Sequence, residues 1–204
     1  MDASVEAPNR LEGDKAKRII AAMRVSVGSR GAAASTFDQV AREAGVSRGL
    51  LHYYFGSKDR LLVEVVRHDC DVRIKAMDDA LAEADTLEAV VDALVRQLEA
   101  FVEEEPGSQA VIYEMLSASR HSEEIGAELA ELYRRWRGRL ADALVEKERQ
   151  GVVKLQAEPE AVASILFALG DGMGLQLISD PEWDREPALE LGIATAERLL
   201  GGAP

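Results

Sequence analysis

Apolar positions recur every three or four residues along most of the chain, with charged and polar residues between them. That spacing predicts amphipathic helices, whereas few segments alternate Val, Ile, Thr and Tyr as strands do. Gly and Pro interrupt the pattern at intervals, which predicts an all-α fold of about nine helices. The predicted helices are 10–27, 37–45, 48–54, 58–84, 86–105, 108–119, 123–150, 159–179 and 184–200.

Short polar residues and glycines set the expected helix ends. The glycines of "GSRGAAAS" are predicted to end the first helix, and Ser35 or Thr36 is expected to cap the second. Gly45 is expected to end the second helix with a positive φ. Ser47 and Ser57 are the predicted caps of the third and fourth helices. The buried side of the fourth helix is predicted from its apolar residues: Leu61, Leu62, Val65, Val66, Val72, Ile74, Met77 and Leu81.

The charge is unevenly distributed along the sequence. Residues 10–67 carry 11 Lys and Arg against 6 Asp and Glu, whereas residues 68–204 carry 13 against 29, within a formal net charge of −13. Such asymmetry indicates a nucleic-acid-binding part joined to a second module, and an uneven solvated surface is the plain alternative. We therefore predict a basic domain over 10–57 and an acidic one over 58–204. The helix that begins at Lys58 joins them, and residues 1–9 form a disordered tail.

Composition narrows the classes of protein that fit. The single cysteine, Cys70, forms no internal disulfide and no Cys/His metal cluster, which favours a reducing compartment. No apolar run approaches the roughly 18 residues of a membrane span, and the first residues lack the apolar centre of a signal peptide. No recognisable catalytic grouping emerges. We expect a cytoplasmic protein that is not an enzyme and has no membrane span, cofactor or metal.

The stretch "VAREAGVSRGLLHYYFGSK", residues 40–58, predicts two short helices that meet at Gly45. Ala41 is small enough for the second helix to cross close above it, as in a helix-turn-helix. The residues expected to face inward are Phe37, Val40, Ala44, Val46, Leu51 and Tyr54.

The opposite side of the second helix carries groups that suit DNA. A serine and an arginine at a helix N-terminus donate to phosphate or to guanine edges, and Tyr and His donate to phosphate oxygens. Lys58 opens the next helix, where it is well placed for a backbone phosphate. The predicted DNA-binding residues are Ser35, Thr36, Ser47, Arg48, Gly49, Leu50, His52, Tyr53, Tyr54 and Lys58.

The sequence "STFDQVAREAGVSRGLLHYYFGSKDRLL" resembles the DNA-binding region of the TetR family of bacterial transcriptional regulators. The resemblance covers about residues 15–65 and rests on "A-x-x-A-G-V-S" followed by "YYFGSK". Leu50 stands where many members have Thr, and His52-Tyr53 stands where many have Tyr-His. Ala32 replaces the usual aromatic residue after the first turn. The changes at the DNA-facing positions are expected to alter operator preference.

The resemblance implies a homodimer that places one recognition helix per subunit in successive major grooves of a near-palindromic operator. It implies a repressor that a small-molecule effector releases from DNA by shifting the helix at Lys58. It also implies dimerisation through the last two long helices, 159–179 and 184–200. A TetR-like activator or global regulator is an alternative, and a helical small-molecule carrier or enzyme is one from another class.

The stretch "ALGDGMGLQLISDP", residues 168–181, holds three glycines, each of which costs a helix about 1 kcal/mol relative to Ala. A phosphate-binding loop is disfavoured because the stretch follows a helix and no lysine comes after it. Close helix–helix approach is favoured, which similar segments of TetR-like dimerisation helices support. The predicted dimer-interface residues are Leu166, Gly170, Gly174, Leu177, Ile193 and Leu200.

Apolar and aromatic residues of the middle helices are the candidate lining of an effector pocket, which suits an apolar or amphipathic molecule. Ordinary core packing is the alternative for most of them. Asp171 either lines the ligand cavity or lies in the dimer interface. The predicted effector-binding residues are Leu94, Leu98, Phe101, Ile112, Tyr113, Leu116, Tyr133, Trp136, Phe167, Asp171 and Met173.

Overall fold

The computed structural model describes residues 13–101 and 106–201, of which 106–108 are described as backbone alone. The predicted tail at 1–9 and the predicted start of the first helix lie outside the described residues. Within them the chain forms helices and no strand, which confirms the all-α prediction. The helices are α1 (Asp14–Ala34), α2 (Phe37–Ala44), α3 (Arg48–Phe55), α4 (Lys58–Glu83), α5 (Leu87–Glu99), α6 (Pro106–Ala118), α7 (Glu123–Arg149), α8 (Pro159–Ser179) and α9 (Glu186–Gly201).

The end of α1 differs from the sequence prediction. The helix does not stop at Val27 but continues past Gly28, and it breaks at Gly31, where φ is 75° and ψ is 163°. Only a residue without a Cβ adopts that conformation readily. The backbone N–H of Ala32 then donates to Glu114 Oε1 at 3.3 Å. Of the two glycines predicted to end the helix, only the second does so.

Packing divides the chain into two compact units. Among the described residues, the first comprises 13–69 and 106–130, so α1, α2, α3 and α6 belong to it together with the beginnings of α4 and α7. In this unit α6 packs along α1, and α2 packs against both α1 and α3. The fully buried apolar residues of this unit include Ile19, Met23, Val40, Leu51, Leu61, Val65, Val111, Met115 and Ile125. The predicted domains, 10–57 and 58–204, divide the chain at Lys58 and do not coincide with these packing units. The boundary at Lys58 stays a prediction.

The second unit comprises the described residues 70–101 and 131–201 and holds the rest of α4 and α7 with α5, α8 and α9. After α7, the backbone N–H of Lys154 donates to the carbonyl of Leu200 at 2.6 Å, and that of Gln156 donates to Leu199 at 3.0 Å. These bonds satisfy carbonyls that the end of α9 would otherwise leave unpaired. The core of this unit includes Met77, Leu81, Val90, Val91, Leu140, Leu144, Val162, Ala196 and Leu200.

The buried side of α4 agrees with the prediction except at Val72, which is 49% exposed, and at Ile74, which is half-buried. Val72 lies seven residues after the fully buried Val65, and so on nearly the same side of the helix. The residues that cover this side of α4 at Val65 therefore do not extend to Val72. Ser57 caps α4 as predicted, because its Oγ accepts from the backbone N–H of Arg60 at 3.2 Å.

Helix α8 is unusually apolar. Among the described residues it alone has the length and composition of a membrane span, with a mean hydropathy of 1.6 over its most apolar 18 residues. The expectation that no run approaches that length was therefore wrong for α8. Only 17% of that window is buried, so much of an apolar surface faces outward.

Candidate nucleic-acid interface and ligand cavity

The turn between α2 and α3 is closed by backbone hydrogen bonds. Gly45 adopts the left-handed conformation, with φ 63° and ψ 42°, as the sequence predicts. Its N–H donates to the carbonyl of Arg42 at 3.3 Å, and that of Val46 donates to Ala41 at 2.9 Å. This pair of bonds is the Schellman motif, which ends a helix sharply and sets the direction of the next one.

The serines and the threonine around α2 and α3 have different roles. Thr36 caps α2, since its Oγ1 accepts from the backbone N–H three residues on at 3.3 Å. Ser35 is fully buried and donates to the carbonyl of Gly31 at 2.8 Å, so its prediction as a DNA contact was wrong. Ser47 makes no side-chain cap to α3, contrary to prediction. Its side chain is instead exposed at the start of that helix.

The outer face of α3 is presented to solvent by buried residues on its inner face. Leu51 and Phe55 are 0% and 4% exposed, which fixes the rotation of this short helix. Tyr54, predicted to be a core or half-core residue, is half-buried. On the outer face Ser47, Arg48, Gly49, His52 and Tyr53 are exposed, and Leu50 is half-buried.

Arg48 is held at this surface by partners on α2 and α3. Its Nη1 lies 3.0 Å from Asp38 Oδ2, and its Nε donates to His52 Nε2 at 3.4 Å. His52 Nδ1 lies 3.3 Å from the carbonyl of Gly56, and its ring packs edge-on against Phe37 with centroids 4.8 Å apart. Both ring nitrogens of His52 are therefore engaged within the chain. His52 orients Arg48 in this structure.

Lys58 was predicted to contact a phosphate. In the structure it is half-buried, and its Nζ donates to the carbonyl of Ala32 at 2.9 Å. An ammonium group carries three N–H donors, so this bond uses one of them. Lys58 thus ties the start of α4 to the end of α1, and a phosphate contact by it stays a prediction.

The second unit contains a cavity of about 140 Å³, lined by residues of α4, α5, α7, α8 and α9 and by Phe101. Most of its wall is apolar, as expected of a site for a small organic molecule. Seven of the predicted effector-binding residues line it: Leu94, Leu98, Phe101, Trp136, Phe167, Asp171 and Met173.

The other predicted pocket residues lie elsewhere. Ile112, Tyr113 and Leu116 belong to α6 in the first unit, so they do not line this cavity. The helical pattern shows that α6 has an apolar side but not which neighbour covers it. Tyr133 lies behind the wall, with its ring 5.6 Å from that of Trp136 and edge-on to it.

The predicted interface residues of α8 and α9 mostly face inward. Leu166, Gly170 and Ile193 line the cavity. Gly174 is buried, Leu200 is 0% exposed, and Leu177 is half-buried. Leu200 is thus a core residue, which corrects its prediction as an interface contact. The large apolar side chains exposed on these two helices are Ile165, Leu175, Ile178 and Leu191.

Arg73 is a charged residue of the cavity wall that was not among the predicted effector-binding residues. The Cζ of its guanidinium lies 3.7 Å from the ring centroid of Phe101 and 5.6 Å from that of Trp136. Trp136 in turn stacks on Phe167 at 6.0 Å with an interplanar angle of 18°. Arginines on amphipathic helices normally belong to the solvated face, so the sequence pattern gave no sign of this position.

Asp171 is the acidic residue of the cavity wall. Burial raises the pKa of its carboxyl group, while a hydrogen bond with Tyr133 and the positive charge of Arg73 act in the opposite direction. Because burial is the largest of these effects, the neutral acid is favoured more than in water. No His, Cys, Asp and Glu group suited to a metal occurs among the described residues.

Two protein-family models match this sequence. Residues 19–65 match the bacterial regulatory proteins of the tetR family. Residues 92–201 match the C-terminal part of BetI-type transcriptional repressors. The first match contains the α2–α3 turn, and the second contains most of the cavity wall.

Curated relatives and solved structures agree with these models. The HTH-type transcriptional regulator BetI of Rhizobium meliloti is 37% identical over 123 residues, which span 59% of this chain and 59% of that protein. A transcriptional regulator from Saccharomonospora viridis, solved with choline, has 20% identity and a TM-score of 0.74, covering 90% of this chain and 96% of that one. FadR from Bacillus subtilis, solved with stearoyl-CoA, has 18% identity and a TM-score of 0.72, covering 92% and 99%. At these identities the structures establish a shared fold.

Proposed function

The chain belongs to the TetR family of bacterial regulatory proteins, and on that premise we propose that it is a ligand-responsive transcriptional repressor. It binds operator DNA through α3 and a small-molecule effector through the cavity of its second unit. This role places it in the cytoplasm with the DNA. Both family models describe regulators, in agreement with the expectation that the chain is not an enzyme.

The proposal of DNA binding is supported by the exposed residues on the outer face of α3. Ser47, Arg48 and Gly49 are exposed at its N-terminus, where a recognition helix approaches base edges and phosphates. The ion pair of Arg48 with Asp38 joins two exposed side chains. Such pairs contribute about 1 kcal/mol or less, so Arg48 can exchange Asp38 for DNA at small cost.

A homodimer is part of the proposal, because a near-palindromic operator is matched by the two-fold symmetry of its protein. The exposed face of α8 supports this. Ile165 and Leu175 lie on the side of α8 turned away from its cavity-lining residues. Between them, a Cβ built at Gly172 would meet nothing within 4 Å, so the fold of this chain does not require a glycine there. Close approach of a second copy accounts for it.

The size of the cavity restricts the effector. Of the two ligand-bound structural relatives, one holds choline and the other stearoyl-CoA. An engineered protein cavity of roughly 150 Å³ takes up benzene. At about 140 Å³, the present cavity suits a molecule of the smaller class.

Helix α4 is the proposed route from effector to DNA. Arg73, Ile74 and Met77 of α4 line the cavity, and Lys58 at the start of the same helix bonds to the carbonyl of Ala32. An effector that prefers one position of α4 would shift the population towards it. If, in that position of α4, the distance between the two recognition helices of the dimer no longer matches the spacing of the operator half-sites, operator affinity falls.

A mobility-shift titration with DNA from upstream of the protein's own gene tests the proposal. We expect Arg48→Ala to weaken binding by about tenfold or more, and the slope of affinity against salt to become shallower. Arg149→Ala is the matched control, since Arg149 is exposed on α7 and pairs with Glu146. Absence of DNA binding, or equal loss in both variants, would contradict the proposal. In a deletion strain the regulated genes should rise; a fall would indicate an activator.

A further inference from the structure

We propose that the cavity of the second unit selects a small carboxylate on an apolar body, and that Arg73 is the residue that determines this specificity. The inference rests on the proposed function, because it names the class of effector for the same cavity. It differs from the choline of one structural relative, since a carboxylate and a quaternary ammonium carry opposite charges.

The aromatic faces of the cavity already hold a cation that belongs to this chain. The guanidinium of Arg73 lies over Phe101 at 3.7 Å and within reach of Trp136 at 5.6 Å. Those are the distances at which a ring face stabilises a positive charge. A cationic ligand would have to displace Arg73 or lie beside it, where like charges repel strongly in an apolar surrounding.

Arg73 and Asp171 are the charged residues among those that line the cavity. Asp171 hydrogen-bonds with Tyr133, and burial raises the pKa of its carboxyl group. Arginine keeps its charge in proteins, so Arg73 is the group of the wall that offers positive charge and N–H donors to an anion.

The Cζ of Arg73 lies over the Phe101 ring, and the five N–H donors of the guanidinium lie in the plane of the group. Two of them match the two oxygens of a carboxylate, and this paired hydrogen bond is among the strongest in proteins. Leu94, Leu98 and Phe167 of the wall would then cover the apolar body of the ligand.

Three probes of nearly equal shape separate charge from size: benzoate, benzamide and benzamidine are anionic, neutral and cationic at pH 7. Their single ring suits a cavity near the volume that takes up benzene. In titration calorimetry with the full chain, we expect benzoate to bind about tenfold tighter than benzamidine, with benzamide between them. Choline is included as a fourth probe and should bind more weakly than benzoate. Tighter binding of benzamidine or choline, or no binding by any probe at millimolar concentration, would overturn the proposal.

Substitution of Arg73 tests its role directly. Arg73→Met should lower benzoate affinity about tenfold and leave benzamide affinity within about threefold, whereas Arg73→Lys should keep the preference for benzoate over benzamidine. Arg134→Met is the matched control, because Arg134 is an exposed arginine of α7 that pairs with Glu131. Equal benzoate affinity in Arg73→Met and wild type would show that Arg73 does not determine the preference for a carboxylate. If Arg73→Met does not fold, the ranking of probes on the wild type decides.

The mobility shift separates this inference from the proposed function. Benzoate binding without any effect on a protein–DNA complex would leave the ligand class standing and remove the effector role. DNA release by choline but not by benzoate would support the regulator and overturn the carboxylate class.

Discussion

At the scale of single residues, Gly49 separates the requirements of folding from those of DNA binding. A Cβ added there would meet only Ser47 Oγ, at 3.9 Å, and Gly49 does not have a positive φ. The fold therefore does not require a glycine at this helical position. A close approach of the α3 backbone to DNA would require one, because a Cβ would occupy the space between them.

We predict that Gly49→Ala raises the free energy of unfolding by up to about 1 kcal/mol, because alanine favours the helix over glycine. The same variant should bind operator DNA about tenfold more weakly. Gly138→Ala is the control, since Gly138 lies inside α7 and a Cβ there also meets nothing within 4 Å. Urea denaturation and a mobility shift measure the two effects. Unchanged DNA affinity in Gly49→Ala would rule out a close approach at this position.

Cys70 is a residue whose environment predicts low reactivity. Its side chain is 0% exposed, and burial raises the pKa of its thiol to about 11. The thiolate is the reactive form, and at pH 8 a thiol of that pKa is only about 0.1% ionised. Iodoacetamide should therefore label the native protein far more slowly than the denatured protein, with the rate rising as the pH approaches 11. Mass spectrometry measures the labelling, and rapid labelling of the native protein at pH 8 would contradict a buried, protonated thiol.

At the scale of helices, the end of α4 depends on a buried lysine of α7. Lys147 is 5% exposed, and its Nζ donates to the carbonyl of Ala84 at 2.7 Å and to that of Ala82 at 3.2 Å. It also donates to Gln150 Oε1 at 3.2 Å. A positive charge at the C-terminus of a helix satisfies its last carbonyls and interacts favourably with its dipole.

Lys147→Met should thus lower the free energy of unfolding by about 1–3 kcal/mol, because it leaves buried carbonyls without their donor. Methionine keeps an apolar stem that reaches the position of the lysine Cε and lacks only the ammonium group, so the loss reports that group. Arg149→Met, on the exposed side of the same helix, should change stability by less than about 0.5 kcal/mol. Chemical denaturation measures both. Equal stability of the two variants would show that the carbonyls find other donors.

Helices and caps that depend on neighbouring residues were predictable from the sequence. Thr36, Gly45 and the two short helices around them are set by side-chain oxygens and by a backbone conformation that glycine tolerates. Arg73 and Lys147 were not predicted. Both sit in helices whose patterns place arginine and lysine in solvent. Only tertiary packing buries Lys147 and places the half-buried Arg73 over Phe101.

At the scale of the whole molecule, the tertiary contacts of α8 were not predictable from its sequence. Its exposed apolar face is where we expect a partner to bind. An apolar helix with three glycines was read from the sequence as an interface, yet Leu166 and Gly170 line the cavity. The sequence of α8 shows that the helix is apolar on two faces, but it does not show which of them the rest of this chain covers. The remaining face, with Ile165 and Leu175 near 50% exposed, is the one that the chain leaves uncovered.

We predict that the protein dimerises through this face of α8. Leu175→Glu places a charge where two copies would exclude water, so we expect the mass from light scattering at micromolar concentration to fall from dimer to monomer. Val145→Glu is the matched control, because Val145 is a similarly exposed apolar residue, 46% against 51%, on α7. With one recognition helix per monomer, Leu175→Glu should also lose most operator affinity, and its affinity should depend on salt with about half the wild-type slope. A Leu175→Glu protein that stays dimeric would place the interface on another surface, and a monomer that keeps full DNA affinity would separate dimerisation from operator binding.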